Sequence, residues 1–154
     1  MTDAMTPLDA GLNRLNQQLD SFLSVLEEEA VALASADSDR LVDLTRQRLA
    51  ASQQLAESWR QLSSQLGLPA NAGLPALRLR AYSDGNPGEA WQRMEKLSHE
   101  AARLNRVNGR LIDEQIRRTQ TAMQVLQSAS SRNLYGSDGR LSDLLNTSRS
   151  IDSA

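Results

Sequence analysis

The sequence predicts an all-α protein, an antiparallel bundle of three long helices followed by a mobile C-terminal tail. Three observations carry this. The 154 residues include twenty-five Leu but only eight Val or Ile and five Phe, Trp or Tyr. Strands favour the β-branched and aromatic types that are scarce here. Leu, Ala, Gln, Glu and Arg dominate instead, and these are strong helix formers. Breakers are also clustered: residues 67–88 hold four of the eight Gly and three of the four Pro, leaving long uninterrupted stretches on either side. The length is that of one domain, spanning 1–154.

The first helix is predicted over about residues 7–35. Leu8, Leu12, Leu15, Leu19, Phe22 and Leu26 recur at spacings of 4, 3, 4, 3 and 4, an a/d heptad that Ala30 and Leu33 continue and Leu23 widens. Thr6 before Pro7 is a start signal, a hydroxyl N-cap followed by Pro at the first helical position. Residues 35–39 break the pattern, and Asp37, Ser38 or Asp39 can cap a second helix over about 39–66. So short a link returns that helix antiparallel. Its stripe is Leu41, Leu44, Arg48, Ala51, Leu55, Trp59, Leu62 and Leu66, with Leu49 beside it and Arg48 as the polar interruption. Gly67 suits the C′ position, and Pro69 cannot continue the helix.

Residues 67–88 read mainly as a loop, with a turn or two of helix after Leu74. Asn86-Pro87-Gly88-Glu89 then opens a third helix, with Asn as N-cap, Pro at N1 and Glu at N3. It is predicted over about 87–132, roughly 65–70 Å against roughly 40 Å for each of the others. Trp91, Met94, Leu97, Ala101, Leu104, Leu111, Ala122, Val125 and Ala129 fit one face, and Ile112, Ile116, Thr119 and Met123 an adjacent one. Asn108-Gly109 is where a break would fall, but its flanks are helical. A continuous helix, with Gly109 allowing close approach of a partner, is the expectation. The tail 133–154 carries the turn-forming run Leu134–Arg140 and a small Leu141, Leu144, Leu145 cluster. It is expected to be mobile in isolation.

Charge is divided unevenly. Residues 1–39 hold eight acids against one base, Arg14, a net −7; residues 93–118 hold seven bases against four acids, a net +3. Helices 1 and 3 would attract as neighbours, biasing orientation more than stability. Otherwise the basic face is solvated or meets an acidic partner. The whole chain is nearly neutral at −2, which gives no reason to expect nucleic acid.

Several chemistries are excluded by counting. With no Cys and one His, there is no thiolate site, cysteine nucleophile or His-rich metal centre. No GxGxxG, P-loop, HExxH or GxSxG motif occurs. Consecutive helical residues point about 100° apart, so Glu27, Glu28 and Glu29 do not converge on one site. His99 reads as a solvated residue. No cofactor, metal or catalytic residue is expected, and the chain reads as a non-enzyme. No apolar stretch of about 18 residues predicts a membrane span, and the N-terminus does not read as a signal peptide, so the cytoplasm is the expected compartment. Trp59 and Trp91 read as core or core-edge residues. Tyr135 lies past the helical pattern beside Gly136, where an aromatic serves as a binding anchor or packs locally.

Together these segments resemble FlgN-type flagellar export chaperones. The resemblance rests on the Leu heptad helix with its Glu cluster, the second helix opening with Asp and carrying Leu41-Val42-Asp43-Leu44, and the runs Asn105-Arg106-Val107-Asn108-Gly109-Arg110-Leu111-Ile112 and Tyr135-Gly136-Ser137-Asp138-Gly139. It implies an all-helical cytoplasmic chaperone of flagellar type III export. Such a protein binds hook-associated proteins of the hook–filament junction, keeps them unassembled and delivers them to the export gate. It also implies that the C-terminal part engages the client's helical terminal segment, and that Tyr135 is the residue for gate docking.

The residues add a candidate surface. A three-helix bundle needs only one apolar face of helix 3. Ile112, Ile116, Met123 and Leu126 are surplus, and a surplus apolar face marks a partner site. An amphipathic client segment is captured as a helix by such a face, with Leu141, Leu144 and Leu145 folding over or beside it. Two other readings stay open: a homodimer that buries the same face, and an oligomerising coiled-coil adaptor with no export client.

Overall fold

The computed structural model describes residues 5–82, 85 and 87–135, with side chains to Arg132. All regular structure among them is helical: α1 (Pro7–Ser35), α2 (Ser38–Gln65), α3 (Leu74–Ala81) and α4 (Glu89–Tyr135). The all-α class therefore holds, with four helices. None is long and apolar enough to cross a membrane. The chain divides into two units, Met1–Ile112 and Asp113–Ala154.

Within the first unit, α1 supplies the core. Leu12, Leu15, Leu19, Phe22, Leu23, Leu26 and Leu33 are all buried, and each is worth roughly 1.5–3 kcal/mol of transfer free energy. Against them lie Leu62 of α2, Leu77 of α3 and Trp91, Met94, Ala101 and Leu104 of α4. Tyr82 meets Trp91 edge-on, with ring centroids 5.6 Å apart and planes at 77°, the arrangement the ring quadrupoles favour.

Polar contacts give the directions. Arg14 Nη1 donates to Gln61 Oε1 at 3.3 Å and Arg48 Nη1 to Glu29 Oε1 at 2.7 Å, so α1 and α2 run antiparallel. Asn16 Nδ2 donates to the Ala90 carbonyl and Asn108 Nδ2 to the Leu26 carbonyl, both at 2.9 Å. The first part of α4 thus runs parallel to α1.

The helix ends follow their caps. Thr6 Oγ1 accepts from the Asp9 amide and Asp37 Oδ1 from the Arg40 amide, both at 3.1 Å. Gly67 takes a left-handed φ of 68°, as a residue just past a helix end favours. The α1–α2 link is tighter than its composition shows. Ala36 itself adopts the left-handed conformation, φ 54°, and its amide bonds back to the Ala32 and Leu33 carbonyls. The eight-residue α3 realises the short helix expected after Leu74. Arg80 Nε ties it to the Leu66 carbonyl at the end of α2, 3.0 Å, and Trp59 Nε1 of α2 holds the link before it at the Ala72 carbonyl, 3.2 Å.

Three expectations need correction. Helix α4 opens at Glu89 rather than Pro87, and the expected cap Asn86 lies outside the described residues. Its backbone continues to Tyr135 rather than ending near 132, because no Gly or Pro stands between Ala129 and Tyr135 to stop it. Tyr135 therefore lies within α4 instead of past a helix. Helix α4 does pass Asn108-Gly109 unbroken, but apart from its own stretch of helix no described atom lies within 4 Å of where a Gly109 Cβ would sit. The close approach is at Gly11, where a Cβ would come within 2.9 Å of Leu62 Cδ1.

Candidate functional site

The polar residue that interrupts the α2 stripe has a structural partner. Arg48 donates to Glu29 Oε1 and to Asn105 Oδ1, each at 2.7 Å. Glu29 is only 6% exposed, and its carboxylate also accepts from Asn108 Nδ2 at 3.1 Å. Glu29, Arg48, Asn105 and Asn108 thus form one network joining α1, α2 and α4. A buried carboxylate is tolerated when its oxygens are paired in this way. The two asparagines of the Asn-x-x-Asn-Gly run therefore clamp helices together.

Sequence reasoning missed this network, though a signal was present. A strict continuation of the 4, 3, 4, 3, 4 spacing after Leu26 lands on Glu29, not Ala30. The Glu cluster diverges as expected. Glu28 pairs with Arg40, Glu29 turns inward, and Glu27 is exposed.

Between the acidic N-terminal segment and α4, Arg93 pairs with Asp20 at 2.5 Å. Trp91 is fully buried and Trp59 half-buried, so both belong to the core or its edge. His99 is exposed. Among the described residues no group of three or more His, Cys, Asp or Glu is placed to hold a metal ion. Burial, reinforced by Asp9, pushes the Tyr82 hydroxyl up, against a hydrogen bond with the Gly88 backbone. A hydrogen bond from Arg103 holds Glu100 below the usual carboxylate range.

The exposed apolar residues are unevenly placed. Val31, Val42, Leu49 and Leu79 stand out on α1, α2 and α3, and scattered surface residues of this kind are ordinary. In the second unit, Ile116, Met123 and Leu126 are exposed by 49%, 55% and 68%. With Thr119 they recur at spacings of 3, 4 and 3 along α4, which places them on one helical face. Arg118, paired with Glu114, lies beside that face. Val125 is also exposed, on the neighbouring face. Ile112, at the end of the first unit, is 39% exposed. Helix α4 thus presents an a/d stripe exposed among the described residues, an arrangement suited to pairing with another amphipathic helix. Of the other candidate residues, Tyr135 contributes its backbone to α4, and its side chain lies outside the described residues, as do Leu141, Leu144 and Leu145.

Comparison with known proteins agrees with the resemblance in the sequence. A family model described as FlgN protein matches residues 1–143. Flagella synthesis protein FlgN of Proteus mirabilis is 29% identical over 143 residues, covering 84% of this chain and 90% of the relative. The protein of the same name from Salmonella typhimurium is 26% identical over 142 residues, covering 90% and 92%. No solved structure matches.

Proposed function

The chain belongs to the FlgN protein family, and from that membership we propose that it is a cytoplasmic chaperone of flagellar type III export. In this reading it binds hook-associated proteins, prevents their premature assembly and delivers them to the export gate. The relatives are named for flagella synthesis, and the proposal gives this chain a step within that process. The observation that carries it is the stripe of Ile116, Met123 and Leu126 on α4, exposed among the described residues. The terminal segment of a hook-associated client, amphipathic once helical, lays its apolar side on this stripe and orders on binding. Ile112, Leu141, Leu144 and Leu145 complete the client-binding set, and the three long helices act as one antiparallel bundle that carries it. Tyr135 is the residue for gate docking. No step requires catalysis, a cofactor or a metal.

The test is co-purification with hook-associated C-terminal fragments. Ile116→Ser with Met123→Ser should lower client capture at least tenfold at unchanged helicity, since two buried apolar anchors are removed from the contact. Tyr135→Ala should keep capture and lose export. Unchanged capture by the double variant would sink the assignment of the stripe. A stable self-associated form of the chain that buries the stripe and takes no client would favour the homodimer or adaptor reading instead.

A further inference from the structure

The buried polar side chains of the first unit are concentrated where α4 meets α1. Asn16 reaches from α1 to the Ala90 carbonyl at 2.9 Å, and Asn108 reaches from α4 to the Leu26 carbonyl and Glu29. Both asparagines are almost wholly buried. In each case the amide nitrogen is used, while the amide oxygen, Asn16 Oδ1 or Asn108 Oδ1, is buried without a partner among the described residues. Trp91 Nε1, on the same stretch of α4, is likewise buried and unpartnered among the described residues. An unpaired polar atom loses its water on closure and gains nothing in return, so it favours the open state of whatever seam holds it.

The α1–α2 hairpin is joined differently. Its connection is two residues long, Gly11 admits Leu62 to within 2.9 Å of where a Cβ would stand, and Asp37 and Ala36 close the turn with backbone bonds. Gln18 Oε1 on α1 and Ser63 Oγ on α2 are also unpartnered among the described residues, so the hairpin's advantage rests on its short connection and close packing. By contrast, α4 follows a longer connection and is fixed by polar pegs.

We propose that residues 89–112 of α4 are a releasable latch: they detach from the α1–α2 hairpin as a unit, below the free energy of global unfolding. Release uncovers Trp91, Met94 and Leu104 on one side and the α1 stripe on the other, without dismantling the hairpin. The apolar burial of those residues, together with the bonds of Asn105 to Arg48 and of Asn108 to Glu29 and Leu26, keeps the latch closed most of the time. The three unsatisfied atoms keep the closed state from being deep.

Native-state hydrogen exchange on the full chain tests this. Amides of residues 95–108 should exchange together with one denaturant slope, at least about tenfold faster than amides at the buried positions of α1 and α2. Ala36→Gly, confined to the hairpin turn, should slow α1 and α2 exchange about twofold to threefold and leave 95–108 unchanged. Asn16→Leu, at the seam, should slow both groups. Equal protection of α4 and the hairpin, or an equal response of both to Ala36→Gly, would overturn the latch.

Discussion

Glu29 and Arg48 show how much one pair can decide. Alone, a carboxylate at a core position of α1 would be strongly destabilising, because desolvation disfavours its charge. Arg48 and Asn108 supply its hydrogen bonds, and Arg48 continues to Asn105. Replacing Arg48 with Met should therefore cost about 2–3 kcal/mol in urea unfolding, somewhat less than for a fully buried pair because the guanidinium is partly solvated. The double change Glu29→Leu with Arg48→Met should recover most of the loss, since no charge is then left unpaired. A loss below about 1 kcal/mol for the single change would mean that Asn108 alone suffices for Glu29. This network was only half legible. Arg48 stood out as a polar interruption, but nothing local in the sequence joins positions 29, 48, 105 and 108. Their meeting depends on the mutual register of three helices, which a one-dimensional pattern does not contain. Asn108 beside Gly109 even pointed the other way, because Asn-Gly commonly marks a turn.

At the scale of elements, the helices themselves were legible because their signals are local. The heptad of Leu8 to Leu26 and the caps Thr6 and Asp37 each act within a turn or two of helix. The α1–α2 link was harder. Ala36 carries no mark of the left-handed backbone it adopts at φ 54°, a conformation ordinarily filled by Gly. That position holds strain of roughly 1–2 kcal/mol relative to right-handed backbone. Ala36→Gly should raise stability by about 0.5 kcal/mol, the relief being partly offset by the greater entropy of Gly in the unfolded chain. Thermal unfolding should show a higher midpoint. A lower one would mean that the turn is not strained. The reach of α4 to Tyr135 is hidden from the pattern for a related reason. Residues 130–135 are weakly apolar, so periodicity fades there, but a helix ends where a breaker or a cap ends it and not where the stripe does.

For the whole molecule, the charge asymmetry invites an electrostatic account of the fold that the structure does not support. A −7 segment over residues 1–39 and a +3 segment over 93–118 would attract as neighbouring helices. Their direct ion pair among the described residues is Arg93 with Asp20, and both side chains are largely solvated. Much of the remaining charge is neutralised locally: Glu100 with Arg103 and Glu114 with Arg118 within α4, and Glu28 with Arg40 at the hairpin. Exposed pairs contribute about 0–1 kcal/mol each, and salt screens them over a Debye length of about 10 Å at 0.1 M. Cohesion therefore rests on the Leu-rich core, with the shielded Glu29 network inside it. Raising the salt from about 50 to 500 mM should change unfolding free energy by less than about 1 kcal/mol. It should weaken Arg93→Ala no more than the parent. A loss above about 2 kcal/mol would show that long-range attraction between the acidic and basic segments holds α4 in place.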